Sequence, residues 1–174
     1  MINYYQATKN YRLTNLASQL RTPTLVRIDV NVPVINGKII EDSFRLRAYA
    51  SVLELMAEYA GLVVMSHQGR PGNPDFIPLK QHWVVLRKLL STDIDIEFIP
   101  ANKVFTEETR RKIKELRERE IIFLDNTRMF KEEFNFNPRT SIFLNFFKGL
   151  IKKCVNDAAP CWHRDNASLM CLPY

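Results

Sequence analysis

The sequence predicts an α/β fold, a single domain with a mostly parallel sheet in three layers and helices on both faces. Three observations carry this. Short apolar, β-rich runs alternate with longer stretches of helical period. Runs such as Leu62-Val-Val-Met65 are apolar at consecutive positions, as strands covered on both faces are. The chain has 174 residues, 46% of them hydrophobic and 25% charged, which suffices for one sizeable core.

The elements follow in order. The first ~20 residues read as a helix or an extended arm. Thr24-Leu-Val-Arg-Ile-Asp29 is the first strand; Asn31-Val-Pro33 breaks it, and Asn36-Gly37 marks a tight turn. Asp42-Ser43 caps a helix striped by Leu46, Ala50, Leu53, Ala57 and Ala60, which Gly61 closes. Leu62–Met65 is the second strand. Pro78 starts a helix with Leu79, Trp83, Leu86 and Leu90 on its core face. Asp95–Ile99 is the third strand. Thr106 opens a helix with Glu107 and Glu108 in its first turn and Arg117 and Arg119 in its last, a polarity that suits the helix dipole. Glu120–Leu124 is the fourth strand. Ile142, Phe143, Phe146, Phe147, Leu150 and Ile151 stripe a further helix, and Lys153–Asn156 is a short fifth strand. No internal repeat, low-complexity tract or linker divides the chain.

Composition narrows the function. No apolar run approaches the ~18 residues of a membrane span. Met1-Ile-Asn-Tyr-Tyr-Gln6 reads as neither a signal nor a transit peptide, so the expected compartment is the cytoplasm. Cys154, Cys161 and Cys171 are odd in number and irregular in spacing, unlike a disulfide framework or a zinc site. The net charge of +6 favours anions, whether nucleic acid, a phosphorylated metabolite or bulk counterions. No zinc finger, aromatic RNA-binding strand or basic zipper is present, so neither nucleic acid nor membrane is an expected partner.

The chemistry gathers at strand ends. Met65-Ser-His-Gln-Gly-Arg-Pro71 places an imidazole, a glycine and a guanidinium directly after a buried strand. In open α/β sheets ligands bind at that end of the strands. Arg suits phosphate and carboxylate, and Gly69 lets a backbone approach closely. The first strand ends in Asp29 and Asn31, the fourth in Asp125, Asn126 and Arg128, the fifth in Asn156 and Asp157 with His163 and Arg164 soon after. Arg45 and Arg47 open the first helix, against its dipole. Pro100-Ala-Asn102 after the third strand reads as structural.

These residues carry a resemblance. Arg27-Ile-Asp-Val-Asn-Val-Pro33, Arg45-Leu-Arg47, Met65–Pro71, Asp125-Asn-Thr-Arg-Met129 and Val155-Asn-Asp-Ala158 with His163-Arg164 occur in the order and spacing of phosphoglycerate kinase. From about residue 22 onward the chain resembles the amino-terminal, substrate-binding domain of that family, in the wording of its archaeal branch. The resemblance implies one Rossmann-like domain over residues 1–174 that binds 3-phosphoglycerate or 1,3-bisphosphoglycerate. It implies reversible phosphoryl transfer between 1,3-bisphosphoglycerate and ADP, as in glycolysis or gluconeogenesis. Mg-ATP or Mg-ADP would sit in a second domain that this sequence lacks, so the chain alone is expected not to turn over ATP. A diverged stand-alone domain that binds phosphoglycerate or a similar anionic metabolite without catalysis is the competing expectation.

Residue by residue, the resemblance places Asp29 and Asn31 at the substrate's hydroxyl and carboxylate. It places His67, Arg70, Arg128 and Arg164 around its phosphate, and gives Arg45 the transferring phosphoryl group. Two departures stand out: Ala159-Pro-Cys-Trp162 lies where the family has small residues, and Asp125 and Met129 replace a Glu and a Phe. Blander roles compete at several positions. Asp29 and Asn31 could cap a turn. His67 could be a satisfied loop histidine. Arg27 and the Phe-rich stretch from Phe134 to Phe147 read as structural, Arg47 as solvated and His82 as inert. Asp125 and Asp157 read as braces for loops.

Overall fold

In the computed structural model the described residues are 17–171, so the expectation for the first residues lies outside them. The regular elements are β1 (Thr24–Arg27), β2 (Val34–Ile35), β3 (Lys38–Ile39), α1 (Phe44–Ala57), β4 (Leu62–Met65), α2 (Lys80–Leu89), β5 (Asp95–Ile99), α3 (Glu107–Glu115), β6 (Glu120–Leu124), α4 (Ile142–Phe147), β7 (Lys153–Asn156) and α5 (Ala167–Met170).

Five strands form one parallel sheet in the order β5-β6-β4-β1-β7, in agreement with the α/β expectation. Strands β4 and β7 flank β1, with Arg27 opposite Met65 on one side and Asn156 on the other. The order reverses at β1 and β7, which opens a crevice at their carboxyl ends.

Alternation along the strands sends side chains to two separate cores. Val26, Val64 and Phe123 join α1 and α2 through Leu46, Leu53 and Leu86. Leu25, Val63 and Ile122 face the other way, onto Ile113 of α3 and Phe143, Phe146 and Phe147 of α4. The Phe-rich stretch is core packing for the most part. The rings of Phe105 and Phe143 meet edge-on at 5.0 Å, and those of Phe130 and Phe143 at 5.5 Å, the geometry their quadrupoles prefer. Phe134 is the exception, at 47% exposed.

Local rules explain most boundaries. The Asn36-Gly37 turn has both residues at positive φ, 51° and 74°, and joins β2 to β3 as a hairpin. Thr106 caps α3, its hydroxyl accepting from the Thr109 amide. Three helices end sooner than their patterns suggest. α1 stops at Ala57, so Ala60 packs from the turn that follows. α3 stops at Glu115 because Leu116 turns extended to bury its side chain, which leaves Arg117 and Arg119 beyond the last turn. α4 stops at Phe147: Lys148 is extended and Gly149 takes φ +69°, so Leu150 reaches the core from a loop.

Phe143 is 1% exposed and its neighbour Ile142 is 54% exposed. Urea unfolding should separate the two. Phe143→Ala is expected to cost about 3–5 kcal/mol, and Ile142→Ala about 0.5 kcal/mol or less.

Candidate anion-binding site

The last direct backbone bond between β1 and β4 runs from the Ile28 amide to the Met65 carbonyl (3.0 Å). Side chains after β4 take over the ladder. The Ser66 hydroxyl accepts from the Val30 amide (3.0 Å) and donates to the Ile28 carbonyl (2.9 Å). Two residues on, the Gln68 amide accepts from Val32 N–H (2.9 Å) and donates to Val32 C=O (3.0 Å). Asn31 answers from the other side, its Oδ1 accepting from the Gly69 amide at 2.9 Å. The alternation of Ser66 and Gln68 with His67 is what a strand's period of two provides. It holds the Asp29–Val32 loop against the His67–Arg70 loop. Gly69 has φ +64°, and a Cβ there would lie 2.4 Å from the Asp75 carbonyl, so only glycine fits.

Under this ladder lies a buried guanidinium. Arg27 is 1% exposed. Its Nε donates to Ser168 Oγ (3.1 Å), its Nη1 to the Ile28 carbonyl and its Nη2 to His67 Nδ1 (3.1 Å). Ser168 Oγ passes its own hydrogen to Glu133 Oε1 (2.8 Å), and Glu133 also accepts from the Ser168 amide and from Thr127 Oγ1. Burial lowers the Arg27 pKa, while Glu133 is the largest opposing influence. With a partner on each of its three nitrogens and the Glu133 carboxylate one hydroxyl away, the buried charge is tolerated.

An arginine can only donate, so His67 Nδ1 is the acceptor and the ring hydrogen sits on Nε2. Nε2 lies 3.9 Å from Cys161 Sγ and 4.0 Å from Asp29 Oδ1. Burial, then the charges of Arg27, Arg128, Arg164 and Arg45, hold the His67 pKa down to about 2. The ring is neutral at physiological pH and marks a point on which four guanidinium fields converge.

The positive charge collects on two sides of it. Arg45 reaches from the first turn of α1, its Nη1 donating to Asp29 Oδ2 (2.8 Å) and to the Asn31 carbonyl (3.0 Å). Its side chain remains 41% exposed, and its other N–H groups make no hydrogen bond among the described residues. On the other side Arg70, Arg128 and Arg164, from the segments after β4, β6 and β7, line one cavity of about 360 Å³ with Phe134, Asp165 and Asn166. Arg128 is braced by its Nη1 on the Gly69 carbonyl, and its pKa is lowered first by burial and next by Arg164. Arg70 is exposed and Arg164 half-buried.

The candidate residues therefore fall into an Asp29–Asn31–Arg45 group and an Arg70–Arg128–Arg164 group, with His67 between them. Asp29 and Asn31 do cap their turn, the Asp29 carboxylate accepting from the Asn31 amide at 3.1 Å, and Asp29 holds Arg45 as well. Asp125 braces loops as expected, accepting from the amides of Leu79, Asn126 and Ala101. Arg47 pairs with Asp42 at the surface. Trp162 is 61% exposed, and it is Cys161 that packs beside His67. Glu133 and Ser168 were missed from sequence. A Glu at the end of a loop carries no local sign of burial, and its partner Arg27 lies 141 residues from Ser168. Among the described residues no cluster of His, Cys, Asp or Glu side chains could hold a metal ion, and no helix is long and apolar enough to cross a membrane.

Comparison with known proteins identifies the family and the fold. The sequence profile of phosphoglycerate kinase matches residues 18–174. The phosphoglycerate kinase of Saccharolobus solfataricus is 38% identical over 158 residues, covering 86% of this chain and 37% of the relative. That of Methanopyrus kandleri is 36% identical over 151 residues, covering 84% and 36%. The crystal structure of phosphoglycerate kinase from Pyrococcus horikoshii OT3 superposes with a TM-score of 0.70 at 30% identity, over 85% of this chain and 36% of that one. The chain thus spans a little over a third of the length of these relatives. A family profile over residues 18–174 and relatives at 36–38% identity show that the chain belongs to the phosphoglycerate kinase family.

Proposed function

We propose that this chain is the substrate-binding part of a phosphoglycerate kinase and that its arginine cavity takes the phosphate of 3-phosphoglycerate or 1,3-bisphosphoglycerate. The convergence of Arg70, Arg128 and Arg164 on one cavity carries the reading. A phosphate ester presents several charged oxygens, which the planar forks of guanidinium groups match. Like charges held together by burial and backbone contacts, as Arg128 and Arg164 are, gain most from an anion placed between them.

The second group supplies the other end of the substrate. Arg45 keeps outward-facing donors while Asp29 and the Asn31 carbonyl fix its root. It is suited to the substrate carboxylate and to the phosphoryl group in transit, where charge spreads over equatorial oxygens and positioning dominates catalysis. His67 adds orientation rather than charge, since it is neutral and spends Nδ1 on Arg27. The reaction served would be reversible phosphoryl transfer between 1,3-bisphosphoglycerate and ADP. The magnesium nucleotide belongs, in this reading, to the part of the relatives' length that the chain does not span. Alone, the chain binds substrate without turning over ATP.

Calorimetry at low salt tests this. Saturable binding of 3-phosphoglycerate is expected, weakening as salt rises. Arg70→Ala and Arg164→Ala should each weaken it roughly 10- to 100-fold, the loss of a charge-assisted contact. Retained affinity in the two variants together would refute the site.

The histidines set a pH dependence of stability. The folded chain holds His67 down to about 2 and His82 down to about 4, against 6.5 for an unperturbed histidine. Below pH 6.5 the unfolded chain binds protons that the folded one refuses, so stability is complete above that pH and falls as the pH drops. By pH 5 the loss is expected to be about 2 kcal/mol for each histidine. Urea unfolding at pH 7 and pH 5 measures it, and His82→Leu should remove about half the difference.

A further inference from the structure

His82 lies on α2, away from both arginine groups, and is fully buried. Its Nε2 is 3.1 Å from Gln68 Oε1. That oxygen already accepts from the Val32 amide, which can only donate, so the orientation of the Gln68 amide is fixed and His82 Nε2 must carry the hydrogen. Gln68 Nε2 confirms the orientation by donating to the carbonyls of Val32 and Asp75. Burial keeps the His82 ring neutral, with a pKa near 4, so its Nδ1 holds a bare lone pair. This nitrogen is buried and has no hydrogen-bond partner. An orphaned buried nitrogen is a cost that an apolar side chain of similar size would not carry. The single bond from Nε2 is what the position returns.

We propose that His82 and Gln68 are a positioning pair for the substrate site: His82 locks the Gln68 side chain, and Gln68 holds the Val32 backbone, so that Asn31 and Asp29 present Arg45. The chain of contacts is continuous. Val32 is pinned on both its N–H and its C=O by one side chain. The adjacent Asn31 gives its carbonyl to Arg45 and its Oδ1 to the Gly69 amide. Asp29 completes the hold on Arg45. The main chain of Gln68 is itself clamped, its N–H by Asn126 Oδ1 (3.2 Å) and its C=O by Asn126 Nδ2 (2.7 Å), so the side chain has a rigid root. Without His82 the Gln68 amide oxygen loses one of its two donors, the side chain is held less firmly, and the loop between β1 and β2 gains freedom at Val32. Helix α2 is a firm base for this, since Gln81 also accepts from the Ile39 amide and donates to the Gly37 carbonyl.

The inference rests on the reading of this edge as a 3-phosphoglycerate site, and the test separates the two. The whole chain is compared with His82→Leu, His82→Gln, Gln68→Leu and the double His82→Leu/Gln68→Leu variant. His82→Leu should leave the urea midpoint at pH 7 unchanged or higher, yet weaken 3-phosphoglycerate binding about fivefold, the worth of one hydrogen bond. His82→Gln, whose side chain offers a donor in place of Nε2, should recover binding to within about twofold. The double variant should bind no more weakly than Gln68→Leu, because His82 acts only through Gln68. Amide hydrogen exchange gives a readout that needs no ligand: the Val32 amide should exchange faster in His82→Leu and recover in His82→Gln. Unchanged Val32 exchange in His82→Leu, or no recovery in His82→Gln, overturns the pair whatever the ligand does. Failure of the unaltered chain to bind 3-phosphoglycerate would instead overturn the functional reading.

Discussion

A fully buried guanidinium constrains much of this edge of the molecule. Arg27 ends β1, an inner strand of the sheet, where its donors need partners and its charge needs a counter-charge. The partners come from four places: its own strand's exit, the loop after β4, the turn at Lys131–Phe134 and helix α5. Meeting those demands ties the segments that follow β4, β6 and β7 to the end of β1. Arg128 and Arg164 are drawn in with the turn that holds Glu133 and the segment that leads to Ser168. A charge that makes no contact with the arginine cavity thus organises the groups that line it.

A second device works at right angles to the first. Where β1 and β4 stop pairing, Ser66 and Gln68 continue the register with their side chains. A main-chain ladder would flatten the loops into sheet and bury their alternate residues. A side-chain ladder leaves Asp29 and Asn31 free to turn toward the crevice while the backbone beneath them stays anchored. Asn31 is used twice, through its carbonyl and its side chain, and so transmits any shift in one loop to the other.

The inner strands β1, β4 and β6 were legible in the sequence because they are buried along nearly their whole length and read as largely apolar runs, whereas β5 alternates and β7 is mostly exposed. The arginines were legible because strand ends are where an α/β sheet places ligands. Helix lengths were less so. Gly149 and Leu116 each cut short a stripe that continued in sequence, since a loop residue can fill a core position as well as a helical one. Trp162 makes a related point: a bulky residue in a site motif need not face the site, and here it is exposed while Cys161 packs beside His67. Glu133, Ser168 and His82 were invisible as partners because their significance lies in contacts across the fold, to residues with no local signature of pairing.

The crowding of Arg128 by Arg164 has a thermodynamic consequence for the whole chain. Folding gathers like charges that the unfolded polypeptide keeps apart, and Arg164, after burial, lowers the Arg128 pKa. An anion that settles there stabilises the folded state by mass action, in proportion to the logarithm of its concentration once the site is full. On the proposed reading of this site, the surrounding electrolyte acts as a component of the architecture. Phosphate-rich and phosphate-poor media would hold the same polypeptide at different distances from unfolding, with no change in its covalent structure.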